Sequence, residues 1–181
     1  EAGRADDADG WILGGLEANP RSADLQAAAA AVLARRGLFA EAAALLEEVA
    51  KQAPRSAEVQ LDLGRVYEQA KRPDAAKAAY RRAADLARDQ RWKALTNLGD
   101  LLCAEGGAQA AEGEKLLEEA ARLAPAGELA PGYNLALARW NRGDRAGARK
   151  AAEQVARAER GDEGLRREAR RFLDAIAREG A

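Results

Sequence analysis

An all-α chain built from repeated helix pairs is what this sequence predicts, and three observations predict it. Alanine supplies 48 of the 181 residues while aromatics make up 4%, a composition suited to thin, closely packed helical layers rather than one bulky core. A phrase returns at a fixed interval: Asn19-Pro20-Arg21-Ser22-Ala23 and Ala53-Pro54-Arg55-Ser56-Ala57, with Pro20 and Pro54 34 residues apart. Small residues keep nearly the same beat at Ala30, Gly64, Gly99 and Ala136, as do Gly37, Gly106 and Gly143 at turns, with Lys71 in the remaining turn place. No stretch alternates apolar and polar residues as a half-buried strand does.

Taken in order, each repeat reads as two helices. First helices are predicted at about 23–36, 57–70, 92–105 and 129–142, and second helices at about 39–52, 73–88, 110–124 and 145–159. Apolar residues recur at helical spacing, as in Leu61, Leu63, Val66 and Tyr67, then Ala76, Ala79, Tyr80 and Ala83. The turn glycines end first helices, while Pro54 and Pro125 follow second helices. The third repeat is longer, and its turn is expected to absorb about two extra residues. Before the first repeat, Trp11, Ile12, Leu13 and Leu16 read as a second helix lacking its first, a half unit over 1–20. After the last, Leu165, Ala169, Phe172, Leu173 and Ile176 form one stripe among arginines, which predicts a closing helix over 163–178.

The second repeat carries the fullest pattern: Leu63-Gly64, Tyr67, Ala76, Tyr80 and Ala83. The third keeps Leu98-Gly99, Leu117, Ala120 and Pro125, with Gly113 where alanine is usual. The first keeps Leu33, Ala42, Leu46 and Pro54; the fourth keeps Leu135-Ala136 and Ala148, with Arg139 in place of the tyrosine. This 34-residue helix–turn–helix unit resembles the tetratricopeptide repeat. The resemblance implies one array over 1–181, a right-handed superhelical solenoid of antiparallel helix pairs. Its repeats would run over about 23–56, 57–91, 92–128 and 129–160, between the half unit and a capping helix.

Composition excludes whole classes of chemistry. There is no histidine, which removes imidazole catalysis and histidine metal sites. Cys103 is the single cysteine, so no intramolecular disulfide or multi-cysteine zinc site exists. Ser22, Ser56 and Thr96 are the whole stock of hydroxyl nucleophiles apart from three tyrosines. No phosphate-binding glycine loop is present, and Asp7-Ala8-Asp9-Gly10 lacks the ligand order of a calcium loop. The expectation is a non-catalytic protein with no cofactor, no metal and no catalytic residues.

The family resemblance also implies a binding face. First helices of such arrays line a concave groove, and the groove places are three before, one after and four after the small residue. They hold Leu61, Arg65 and Glu68; Thr96, Asp100 and Cys103; and Tyr133, Leu137 and Trp140, with an alanine floor of Ala27, Ala31 and Ala34 in the first repeat. Tyr133, Leu137, Trp140 and Asn141 share one helical face, a natural aromatic anchor, unless Tyr133 and Trp140 pack instead against the closing helix. Asn97 and Asn134 stand just before the leucine of their repeats, where the family uses asparagine to bond an extended ligand's backbone. The clamp that captures a terminal carboxylate is missing, since its places hold Ala27, Ala31, Leu61 and Asp100.

The expected function is therefore a protein–protein interaction scaffold that binds a peptide, a helix or a folded partner in its groove. Two alternatives are a targeting or regulatory arm of a larger enzyme and an exported envelope assembly factor resembling pilus or outer-membrane tetratricopeptide lipoproteins. Residues 139–181 carry a net +4, with glutamates interleaved among the arginines, against −5 for residues 1–138. Such a solvated face does not predict nucleic-acid binding. Glu47-Glu48 and Glu118-Glu119, at equivalent ends of second helices, are expected to face solvent. No apolar run is long enough to span a membrane. The unpaired half unit leaves self-association open. The absence of methionine and the opening at Glu1 read as a processed or excised chain, cytoplasmic or periplasmic, and the alanine- and arginine-rich composition reads as bacterial.

Overall fold

The computed structural model describes residues 2–179. It contains α1 (Ala2–Ala18), α2 (Ala23–Arg35), α3 (Phe39–Gln52), α4 (Ala57–Gln69), α5 (Pro73–Leu86), α6 (Arg91–Glu105), α7 (Gly107–Leu123), α8 (Ala130–Asn141), α9 (Arg145–Ala156) and α10 (Glu163–Glu179). Among the described residues there is no strand. The chain divides into an N-terminal body over residues 1–87 and a C-terminal body over residues 88–181.

The repeated phrase acts as a helix start. Ser22 Oγ accepts from the Leu25 amide at 3.4 Å, and Ser56 Oγ accepts from the Val59 amide at 3.3 Å, so each serine satisfies an otherwise unpaired donor of the first turn. Pro73 opens α5 where no amide is needed. Asp144 caps α9 by accepting from Gly147 N at 2.8 Å.

In the N-terminal body, α2 pairs with α3 and α4 with α5, while α3 also packs on α4 and α1 on α2. Ala30, Ala42, Leu46, Leu63 and Val66 share one core cluster. The second pair is held by an unusually close fit: Tyr80 is fully buried, and a Cβ placed on Gly64 would lie 2.3 Å from its ring. Its phenol donates to Glu68 at 2.9 Å, so the buried hydroxyl keeps a partner.

In the C-terminal body, α6 pairs with α7 and α8 with α9, α7 packs on α8, and α10 lies against α9 and α8. Leu117, Leu135, Ala136 and Ala152 form its core, with Phe172 and Leu173 from α10 packed against it. The third pair departs from the sequence expectation. Its extra residues do not lengthen the turn: α7 begins at Gly107, directly after Gly106 in the left-handed region (φ 77°), and they form an added first turn of the helix.

Lys71 adopts φ 59° at the turn place that Gly37 (78°), Gly106 and Gly143 (84°) fill elsewhere. A left-handed residue bearing a Cβ costs roughly 1–2 kcal/mol, and glycine's freer unfolded chain takes back about 0.4–1 kcal/mol. Lys71→Gly is therefore expected to stabilise the N-terminal body by up to about 1 kcal/mol, read as a higher urea midpoint at unchanged slope. A lower midpoint would show that the lysine side chain has a compensating role.

Candidate functional site

The surface that combines most of the predicted groove residues lies on α6 and α8 of the C-terminal body. Asn134 Nδ2 donates to Asp100 Oδ2 at 2.5 Å, joining the two first helices across 34 residues of sequence. Asn97 and Leu137 are half-buried one turn away on the same helices, and Asn141 is exposed at the end of α8. The Asp100 carboxylate orients the Asn134 amide, leaving its carbonyl oxygen as an acceptor on a partly dry surface. An amide beside a carboxylate and a leucine can read an extended backbone together with one apolar side chain.

Two predicted groove residues are corrected by burial. Thr96 is only 6% exposed, and its hydroxyl donates to the Trp92 carbonyl at 2.7 Å, one turn back in α6, so it serves the helix rather than a ligand. Leu61 is 9% exposed, its apolar side chain covered. Arg65 does reach solvent on α4, where it pairs with Asp62 at 3.3 Å. Leu61, Arg65, Glu68 and the alanine floor belong to the N-terminal body, and Thr96, Asn97, Asp100, Cys103, Tyr133, Asn134, Leu137, Trp140 and Asn141 to the C-terminal one.

The aromatic residues take the packing alternative. The Trp140 ring meets Phe172 of α10 edge to face, centroids 5.5 Å apart at 77°, and the Arg145 guanidinium lies 3.4 Å from its centroid on the other contact. Tyr133 packs against the cluster of Val155, Ala156 and Ala169. Burial, with Glu168 adding to it, pushes the Tyr133 phenol above its ordinary pKa. Both side chains are half-buried, so they hold α10 in place and do not form the freestanding anchor that their spacing had implied.

Joints between repeats contain residues whose roles the sequence reading missed. Glu47 accepts from the Tyr67 hydroxyl at 2.7 Å and lies 3.9 Å from Arg72, whose guanidinium sits 4.6 Å from the Tyr67 ring centroid. Burial first, and then this bond to Glu47, pushes the Tyr67 phenol up to about 12. Arg139, at the register place of Tyr67, pairs with Glu118, at the register place of Glu47. Both acids thus join consecutive repeats, Glu118 while still exposed to solvent as expected and Glu47 half-buried, and Arg139 on the packing face is paired. No local signal marks these acids; only alignment of one repeat with the next puts each acid before a donor at the tyrosine place.

Some of the C-terminal arginines are also structural. Arg166 donates to the carbonyls of Ala158 and Glu159 at 2.9 and 3.2 Å, and Arg170 to Ala156 at 3.5 Å. Arg170 satisfies the last carbonyl of α9 and Arg166 the turn that follows it, and both charges oppose the helix dipole. Cys103 is half-buried, and burial, followed by Asp100 and Glu114, pushes its thiol up to about 11, so it stays protonated near neutrality. Among the described residues no cluster of acids and cysteine has the makings of a metal site, and no helix is long and apolar enough to cross a membrane.

With this geometry in view, comparisons with known proteins place the chain. Residues 33–98 match a family model described as the tetratricopeptide repeat. No curated protein sequence matches the chain. Among solved structures, YrrB, described as a TPR protein with an unusual peptide-binding site, is 19% identical with a TM-score of 0.69, over 94% of this chain and 85% of that one. PilF of Pseudomonas aeruginosa is 20% identical with a TM-score of 0.75, over 98% and 83% of the two chains. Yeast Tom70 is 20% identical with a TM-score of 0.80, over 99% of this chain but 38% of its own. At these identities the likeness is one of fold. Residues 33–98 thus carry the tetratricopeptide-repeat signature, and the fold of the chain is the one found in YrrB, described as a TPR protein.

Proposed function

We propose that the protein is a non-catalytic interaction scaffold that binds an extended segment of a partner protein along the α6–α8 face. The observation that carries this reading is the Asn134–Asp100 bond, which orients an amide from one repeat with a carboxylate from the repeat before it. Asn97 supplies a second amide at the same register, and Leu137 an apolar contact. The face is built on two rigid helices, so little entropy is lost in ordering it and affinity can rest on few contacts. The tetratricopeptide family match and the fold shared with the peptide-binding YrrB support the same mode of action.

The test is a random peptide library selected against the whole chain, with each binder measured by titration calorimetry. Asn97→Ala/Asn134→Ala is expected to weaken binding at least about tenfold, equivalent to about 1.4 kcal/mol, and Leu137→Glu to abolish it, with melting curves close to wild type. Binders indifferent to all three substitutions, or a library that yields none, would overturn the reading.

A further inference from the structure

A cavity inside the C-terminal body carries positive charge that its own helices leave unpaired. It has a volume of about 350 Å³ and opens between α7, α8 and α9, helices that each pack on their neighbours in sequence. That volume is at the small end of the range for ligand pockets. Its lining holds three cations, Arg122, Arg139 and Lys150, against one acid, Glu118. The buried Leu135 supplies an apolar part, and Gln154 an amide. By helical spacing Leu135 and Arg139 lie on another side of α8 from Asn134, Leu137 and Asn141, so the cavity is distinct from the α6–α8 face.

Local pairing would ordinarily cancel such charges. A helical cation meets an acid three or four residues away, as Arg149 meets Glu153 at 3.0 Å on α9. Around the cavity those partners are withdrawn. Glu118, four before Arg122, is held by Arg139 of the next helix, and Glu119, three before it, by Arg91 at 3.2 Å. Four after Lys150 stands Gln154, an amide, and Glu153, three after it, is taken by Arg149 and by Arg157 at 3.5 Å. Among the described residues, neither the Arg122 nor the Lys150 side chain has an ion pair or hydrogen bond.

The same register in the N-terminal body is neutralised instead. Lys51 stands there at the place of Arg122, and Ala78 at the place of Lys150. Lys51 pairs with Glu48 at 2.5 Å, and Arg82, at the place of Gln154, donates to the Pro54 carbonyl at 3.3 Å. Unpaired cations on one cleft are therefore a feature of the C-terminal body and not of the repeat. A cleft lined by one sign of charge focuses its field and concentrates ions of the other sign.

We propose that this cavity is an anion-binding site for an acidic segment of a partner protein, which sets one carboxylate against Arg122 and another against Lys150. Charge complementarity names the class of ligand. Arg122 offers a planar fork that matches a carboxylate, and Lys150 a compact point charge. The two cations belong to different helices, with Leu135 of α8 in the same lining. Two acids around one apolar side chain suit that arrangement better than a single small anion does. The acids of α7 and α9 are all engaged in interactions of their own, so the complementary charge comes from another segment.

The test is fluorescence anisotropy of a capped, fluorescein-labelled Glu-Glu-Leu-Glu-Glu peptide titrated with the whole chain at low ionic strength. Saturable binding that weakens as salt rises is expected, and a peptide with glutamine for every glutamate should not bind. Arg122→Gln/Lys150→Gln, melting like wild type, is expected to bind at least about tenfold more weakly. Arg167→Gln/Arg171→Gln removes the same charge from exposed places on α10 and should change affinity by less than about twofold. Glu118→Gln removes the acid of the cavity and releases Arg139, so affinity should rise several-fold, a gain that unfolding cannot produce. Asn97→Ala/Asn134→Ala should leave it unchanged, which separates this site from the α6–α8 face. No binding at millimolar peptide, wild-type affinity in Arg122→Gln/Lys150→Gln, or an equal loss in the α10 variant would overturn the proposal. Displacement by inorganic phosphate at concentrations equal to the peptide's would also overturn it and make a free anion the occupant.

Discussion

Gly113→Ala is expected to destabilise the C-terminal body by about 3 kcal/mol, toward the upper end of overpacking costs. An added Cβ would lie 2.7 Å from the Gly99 carbonyl oxygen, 2.9 Å from the Cys103 amide nitrogen and 2.6 Å from Cys103 Sγ. The reciprocal addition at Gly99 would lie 2.9 Å from the Gly113 carbonyl oxygen. Here two helix backbones touch, and no rotamer change can relieve the contact. The gain from replacing a helical glycine by alanine, about 1 kcal/mol, offsets only part of the clash. Calorimetry should show the transition lowered by several degrees, given about 2–4 °C per kcal/mol for chains of 150–250 residues. Gly64→Ala provides the contrast, because its Cβ would meet the Tyr80 ring rather than backbone. That loss should be recovered largely by Tyr80→Leu, which recreates the alanine–leucine combination of Ala30 and Leu46. A Gly113→Ala protein melting within a degree of wild type would refute the close-approach argument.

Those glycines show how far the sequence could be read. The helix starts were legible because their causes are local: Ser22 and Ser56 cap the helices that follow, and Pro73 and Asp144 begin others. The left-handed turn at Lys71 was legible from the interval between its glycine counterparts. The third repeat was misread because its extra residues could extend either a turn or a helix, and only the Gly99–Gly113 approach distinguishes Gly113 from an ordinary alanine place.

The candidate site was harder for a related reason. Spacing puts Tyr133, Leu137 and Trp140 on one face of α8, but whether that face meets solvent depends on where α10 lies. That position is set by Phe172 and Ala169 and by arginines bonded to the end of α9. Likewise, nothing local to Glu47 or Glu118 reveals that a hydroxyl or guanidinium from the next repeat will reach it.

Ala169→Asp is the second substitution with a large expected effect, and it separates packing from binding. Ala169 is 0% exposed, in a cluster with Val155 and Ala156, with Tyr133 and Leu173 packed against it. An aspartate there would be a buried carboxylate with no designed partner, a change costing about 3–5 kcal/mol when a buried charge is left uncompensated. A terminal helix can escape that cost by leaving, since a helix in a protein owes most of its stability to the packing of its apolar face. The expected result is therefore detachment of α10 rather than collapse of the body. Trypsin should cut rapidly at Arg166, Arg167, Arg170 and Arg171, and Trp140, having lost its edge contact with Phe172, should emit at longer wavelength. The Asn134–Asp100 bond is made between α6 and α8 with no member on α10, so peptides held by that pair should still bind within a few-fold. Loss of peptide binding together with α10 would instead place the ligand on the Tyr133–Trp140 side. Unchanged resistance to trypsin would mean that Ala169 does not hold the helix.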